Sequence, residues 1–446
     1  MILDWLFDLF DEYGDTTAIA WRDVTVPYKE LCARVDALRT RFAEEGPPES
    51  AIVALEADFH PEAVAAMLAL IERGAVLIPL TSSIEASKPR FREIAQAEWI
   101  VELNARGEIS VRPTGVQATH PLLTGLQDEG HPGLVLFSSG STGEPKAALH
   151  DFVPLLEKFT VRRKALSTMA FLLFDHIGGV NTMLYTLSNG GTLVVVDDRS
   201  PDNVCRAIEA HAVQLLPTSP TFLNLLLMSG AQERHDVSSL ELITYGTEVM
   251  PEATLRRAHE AFPKATLQQT YGLSEVGILR SKSRSNDSLW VRIGGEGFET
   301  RVVDGLLEIK ARSAMLGYLN APSPFTDDGW FKTGDRVEVD GEFMRIFGRV
   351  SEVINVGGQK VDPVEVEDAL LEVDGVLDAV VFGEEHSLLG RIVVARVRVS
   401  GEADLPATRS RLRTELATRL PRYKIPQKFL VTTDELHGQR FKRMRR

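Results

Sequence analysis

Short apolar runs and helical spacings alternate along most of this chain. The run Ala51 to Ala57 is followed by Pro61 to Gly74, where Val64, Met67, Leu68 and Ile71 recur at helical intervals, and Val76 to Leu80 is apolar again. That reads as strand, helix, strand. The rhythm returns later: Gly190-Gly191 precedes the run Thr192 to Val196, Ser200-Pro201 supplies a cap and a first-turn proline, and Ser219-Pro220 opens another helix after Leu215-Leu216. Alternation of this kind predicts an α/β fold of mostly parallel sheets covered by helices, which places ligand loops at strand ends.

A domain boundary is expected near Arg349 to Ser351, giving a large N-terminal domain over residues 1–349 and a smaller one over 350–446. The second part carries its own helix (Pro363 to Val373), strands (Val376 to Phe382, Ile392 to Val399) and second helix (Leu405 to Leu420). That is enough for a small α+β domain. No internal repeat or low-complexity segment interrupts the chain.

Composition narrows the class. With 446 residues and 44% hydrophobic content the chain can bury more than one core. Its longest apolar stretches, such as Met169 to Phe174, stop well short of the roughly 20 residues a spanning helix needs. The start, Met1 to Asp8, carries acids where a secretory signal would carry bases, so it reads as an amphipathic first helix. Two cysteines, Cys32 and Cys205, form no disulfide framework and no metal-like spacing, which fits a reducing cytoplasm. The net charge of −14 argues against nucleic acid or an anionic membrane as the main partner.

Chemistry first shows in Ser138-Ser139-Gly140-Ser141-Thr142-Gly143-Glu144-Pro145-Lys146, which follows the apolar run Leu134 to Phe137 as a phosphate-gripping loop follows a strand. Gly140 and Gly143 let the backbone approach an anion, the hydroxyls of Ser139, Ser141 and Thr142 donate to phosphate oxygens, and Lys146 adds a positive charge. It is not a Walker A loop: two residues separate its glycines, and Ala147 follows the lysine. A flexible Ser/Gly surface turn is the plainer reading of this segment alone.

Three further segments follow in fixed order: Thr270-Tyr271-Gly272-Leu273-Ser274-Glu275, Gly329-Trp330-Phe331-Lys332-Thr333-Gly334-Asp335, and Gly348-Arg349 through Gly357-Gly358. With the loop at 138–146, they resemble the successive core motifs of the adenylate-forming enzymes: acyl- and aryl-CoA synthetases, adenylation domains of nonribosomal peptide synthetases, and luciferases. The resemblance runs from Thr25 to Leu31 near the start to the basic tail. It implies a large N-terminal domain and a small mobile C-terminal one, hinged at Ser351, where relatives more often carry Asp or Lys.

The resemblance also implies a reaction. A carboxylate attacks the α-phosphate of ATP, giving an acyl adenylate and pyrophosphate, and a thiol then displaces AMP. Residues Ser138 to Lys146 would hold the β- and γ-phosphates, with Thr142 counted among the catalytic residues. Tyr271, beside Gly272, would stack on adenine, and Glu275 would bind Mg²⁺, a hard cation that suits a carboxylate. Asp335 would accept from both ribose hydroxyls and Arg349 would support the same sugar. The stretch Tyr245-Gly246-Thr247-Glu248 matches the segment lining the adenine pocket.

The family's catalytic lysine sits in the last segment, usually after a glycine and three positions before an arginine. Two registers compete in Gly438-Gln439-Arg440-Phe441-Lys442-Arg443-Met444-Arg445. Aligning Gly438 puts Gln439 at the lysine position. Aligning Lys442 keeps Arg445 at the family spacing, with Phe441 in place of glycine and a one-residue deletion, and this register is preferred. Asn355 stands where many relatives carry lysine. In Phe174-Asp175-His176, Asp175 matches the aspartate of amino-acid-activating members and His176 the histidine of acyl- and aryl-CoA ligases; a satisfied polar pair at a helix start is the alternative. With no room for a fused carrier domain after Lys442, the thiol would come from CoA or a separate carrier protein. The other readings are an amine-acceptor ligase and a degenerate nucleotide- or acyl-binding protein.

Overall fold

A computed structural model describes residues 2–104, 106–139, 144–386, 390–400 and 405–438; the side chains of Ser139 and Leu405 lie outside that description. Among the described residues, the chain up to Arg349 forms three seven-stranded sheets. In the first, Thr266–Gln269, Leu242–Tyr245, Leu215–Thr218, Thr168–Met169, Leu193–Val195 and Thr17–Trp21 run parallel, and Val24–Pro27 closes the edge as a hairpin. The second has a parallel centre, Gly133–Ser139, Val76–Leu80, Ile52–Glu56 and Trp99–Leu103, with antiparallel strands on both flanks.

Helix Pro61–Glu72 explains how these two sheets pack together. Pro61 starts it behind the cap His60, and Pro61 and every residue from Ala63 to Ile71 are buried. A helix apolar all round belongs in an interior. One core accordingly joins Ile19 and Leu193 of the first sheet to Val53, Leu77 and Leu134 of the second across Val64 and Leu68.

The third sheet departs from the parallel expectation. Its strands, from Tyr271–Leu273 to Phe343–Arg349, all pair antiparallel, because no helix crosses over between residues 271 and 349 and successive strands return through turns. The N-terminal region is therefore α/β with mixed sheets.

Beyond Arg349, helices Pro363–Leu371 and Leu405–Ala417 pack on a five-stranded sheet that includes Val376–His386 and Gly390–Val399. Its core runs from Ile354 to Phe429 and takes in Ala253 of helix Glu252–Ala261. Asn224 also bridges the two regions, its side-chain amide donating to the Leu377 carbonyl at 3.0 Å. Arg336 pairs with Asp362, and Arg256 with Glu372 at 3.5 Å.

Candidate active site

Strand Gly133–Ser139 and its antiparallel partner Pro145–Asp151 form a hairpin with Ser138 opposite Lys146. Gly140, Ser141, Thr142 and Gly143 lie outside the described residues, as do Gln439 and Lys442. Strand Gly317–Tyr318 pairs along the outer edge of Pro145–Asp151, which sets the Tyr318 ring 5.2 Å beneath the Lys146 ammonium. The Tyr318 hydroxyl donates to Glu275 Oε1 at 2.8 Å, and Ser138 donates to the same oxygen at 3.3 Å. The base of the loop and Glu275 thus meet, 137 residues apart in sequence. Glu275 is 7% exposed.

A second group forms where strand Phe331–Asp340 meets Phe343–Arg349. The buried Tyr271 hydroxyl donates to Asp335 Oδ2, and Arg349, opposite Asp335 in the ladder, holds Nε 3.7 Å from Oδ1. The Asp335 amide donates to Thr333 Oγ1 at 3.0 Å, and Thr333 donates to the Leu307 carbonyl at 2.7 Å. Burial holds the Asp335 carboxyl above the usual carboxylate range, against the downward pull of Tyr271 and Arg349. Burial, then the Asp335 charge, pushes the Tyr271 hydroxyl well above the ordinary tyrosine value.

Residues 245–248 lie at the end of strand Leu242–Tyr245, beside the backbone that leads into Tyr271. Thr270 N donates to the Tyr245 carbonyl at 2.8 Å, and a Cβ at Gly246 would stand 2.7 Å from Thr270 Oγ1, so only glycine fits. Thr247 takes a left-handed φ of 72°. Glu248 accepts from the Thr221 amide at 2.8 Å, at the start of helix Pro220–Ser229.

Asp175 and His176 precede helix Ile177–Ser188. His176 Nδ1 accepts from the Gly178 amide at 3.1 Å and caps that helix. Asp175, 4% exposed, accepts from the Thr81 hydroxyl at 3.0 Å. Thr81 follows strand Val76–Leu80, and its hydroxyl lies 2.8 Å from that of Ser83. Ser83 and Phe174 line a cavity of about 950 Å³ whose far wall includes Leu377, Arg398 and Gly438 from the C-terminal region. The Glu275 and Asp335 groups are near enough to act on each other, since the Glu275 charge raises the Asp335 carboxyl further and the Arg349 charge reaches Tyr318.

Sequence reading missed Tyr318, Thr81, Thr333 and His150. Thr81 had a signal, because it ends a predicted parallel strand where ligand loops attach. His150 had one too, a lone imidazole in the apolar run Ala147-Ala148-Leu149. Tyr318 had none, since its role comes from pairing with a strand 170 residues earlier in register.

The donor set suits a magnesium nucleotide: one carboxylate, two hydroxyls and a lysine, flanking in sequence a segment rich in glycine, serine and threonine. Comparison with known proteins gives a consistent picture. The AMP-binding enzyme family model matches residues 7–305, and the AMP-binding enzyme C-terminal domain model matches 365–440. A D-alanine–D-alanyl carrier protein ligase of Bacillus cereus is 26% identical, over 94% of this chain and 93% of that protein. An indoleacetate–CoA ligase of Aromatoleum aromaticum is 27% identical, over 94% and 92%. The fold matches the crystal structure of an anthranilate CoA ligase in complex with anthranoyl-AMP at a TM-score of 0.80 and 18% identity, covering 99% of this chain and 95% of that one. Similarity of this extent makes the chain a member of the AMP-binding enzyme family, the adenylate-forming ligases.

Proposed function

We propose that this protein activates a carboxylic acid with ATP and passes the acyl group to a thiol, either of CoA or of a separate carrier protein. The observation that carries the reading is the convergence of Ser138 and Tyr318 on Glu275, with Lys146 seated over the same Tyr318 ring. In the first half-reaction a carboxylate oxygen attacks the α-phosphorus of ATP, the bond to the bridging oxygen breaks, and pyrophosphate leaves with that electron pair. In the second, a thiol sulfur attacks the acyl carbon, loses its proton to solvent, and AMP departs.

No step needs a nucleophilic side chain, so this chain's contribution is positioning and charge neutralisation. Lys146 and the turn 138–146 hold the pyrophosphate portion, with Glu275 as ligand to Mg²⁺, which offsets phosphate charge when bound. Asp335 receives the ribose hydroxyls with Arg349 beside it, and Tyr271 with Gly246, Thr247, Glu248 and Gly272 frames the adenine. The C-terminal region, 350–446, acts as a lid turning about Ser351. Gly438 supports that role because it already lines the cavity that Phe174 lines, and Lys442 is four residues on, a reach of about 13 Å at full extension.

For the acid, Asp175 is read as the partner of a substrate ammonium and His176 as the cap that fixes its helix. A buried carboxylate at this place supports an amine-bearing acid, as does the likeness to a D-alanine–D-alanyl carrier protein ligase. Incubating the protein with ATP, Mg²⁺ and amino acids, with CoA or a phosphopantetheinylated carrier protein, and reading product mass tests the acceptor. A thioester is expected; an amide with an added amine and no thioester overturns the thiol assignment.

A further inference from the structure

His150 stands on strand Pro145–Asp151, four residues beyond Lys146, and the ligase reading gives it no task. Its side chain is 0% exposed, yet both ring nitrogens face main-chain carbonyls. Nε2 is 2.5 Å from the Ser274 oxygen and Nδ1 is 3.2 Å from the Ser313 oxygen. Burial disfavours the charged ring. A neutral imidazole has one N–H, and the shorter contact assigns it to Nε2.

Both carbonyls belong to the backbone around Glu275. Ser274 immediately precedes it. Ser313 opens the turn from which the Met315 amide donates to the Glu275 carbonyl at 2.8 Å, and the Ser313 hydroxyl donates to the Val276 carbonyl at 3.2 Å. The imidazole therefore fills the space between the two segments that bracket the carboxylate, and its own strand is the one that carries Lys146 and pairs with Tyr318. An apolar residue of the same size would leave the part-buried Ser274 carbonyl without this donor.

We propose that His150 is a positioning residue: by donating from Nε2 to Ser274 it locks the Glu275 backbone to the strand that carries Lys146, so that the metal carboxylate and the lysine keep one geometry. This rests on the metal-binding reading of Glu275. It also predicts a chemical asymmetry. Glutamine can place an amide N–H near the Nε2 position, asparagine only near Nδ1, and phenylalanine offers neither.

The test is Mn²⁺ binding by electron paramagnetic resonance in the presence of ATP, on the full chain and on His150→Gln, His150→Asn and His150→Phe, each checked for folding by circular dichroism. Removing a group that orients a metal ligand weakens metal affinity by about 10- to 100-fold, so the Asn and Phe variants should fall in that range, with Gln within about threefold of wild type. If Phe does not fold, the Gln and Asn pair decides. Equal Mn²⁺ affinity in wild type and Asn, or a Gln variant as weak as Asn, overturns the role of His150 and leaves the ligase reading standing. A wild type that binds no Mn²⁺ with ATP overturns the metal reading of Glu275, and the role of His150 with it.

Discussion

The Tyr271 hydroxyl donates to the Asp335 carboxylate across 64 residues of sequence, inside the third sheet. Asp335 is 6% exposed, so an ionised carboxylate is held where water cannot solvate it, compensated by Tyr271 and by Arg349 at 3.7 Å. A site that keeps such a charge trades stability for an acceptor.

That trade gives the first prediction. The folded carboxyl titrates above its unfolded value, so the stability it contributes is present at low pH and lost as pH rises through the folded value. Asp335→Asn should therefore have a more favourable melting temperature relative to wild type at pH 7 than at about pH 4, while its KM for ATP rises about tenfold or more through loss of a charged acceptor. A melting-temperature difference from wild type that is no more favourable at pH 7 than at about pH 4, together with an unchanged KM, contradicts both halves.

Tyr271→Phe removes only the hydroxyl. Leaving a buried carboxylate short of one donor costs about 1–3 kcal/mol, readable as a lower denaturant midpoint at unchanged slope. In Tyr271→Phe/Asp335→Asn the penalty should shrink, because the charge is gone. Additive losses would show that the pair is not coupled.

Glu275→Gln keeps shape and both hydroxyl contacts but loses the charge a hard cation needs. Adenylation should be abolished at ordinary Mg²⁺ with the circular dichroism spectrum unchanged. Wild-type turnover at saturating Mg²⁺ would remove Glu275 from the metal role.

Lys158 provides a prediction about pH and folding. Its part-buried ammonium donates to Asn181 Oδ1 at 2.5 Å and to the Ile278 carbonyl at 3.3 Å, both neutral, and desolvation pulls its pKa down to about 8. The unfolded chain holds that proton to higher pH, so wild type gains stability between about pH 8 and 10.5. Lys158→Met should thus be relatively stabilised at pH 7, with the advantage fading toward pH 10. A difference in melting temperature that does not vary with pH contradicts the burial account.

Asp175→Asn should raise KM for an amino acid by about one to two orders of magnitude, the roughly 1.5–3 kcal/mol of a charged hydrogen bond, and leave deamino analogues nearly unchanged. Equal penalties for both would make the Thr81–Asp175 bond a purely structural tie.

Local pattern made the strand, helix and strand between residues 51 and 80 legible, because one apolar helix between two apolar strands has few ways to be read. The third sheet was less so. Pairing of Trp290–Gly294 with Phe343–Arg349 is decided by tertiary packing, and no periodicity in either strand names its neighbour. At the site, ordered motifs singled out Tyr271, Glu275 and Asp335, whereas the contacts that orient them come from residues with no motif of their own. Tyr318 reaches Glu275 over 43 residues and Thr81 reaches Asp175 over 94, distances at which sequence spacing carries no geometric information.

Lys442→Ala should depress acyl-adenylate formation by orders of magnitude and spare thiol transfer from presynthesised acyl adenylate, if the region beyond Ser351 presents Lys442 only for the first half-reaction. Equal losses in both halves contradict the two-state lid, and no loss in either makes the tail a bystander and the Lys442 register wrong.

The central claim is that this chain makes an acyl adenylate. ATP–pyrophosphate exchange over a panel of amino-bearing and plain carboxylic acids, with no acceptor present, tests it most directly. Label should enter ATP only when a suitable acid is added, with an amino-bearing acid foremost, and not at all in Glu275→Gln. Tight ATP binding without exchange for any acid in the panel would contradict the claim and leave a nucleotide-binding protein in its place.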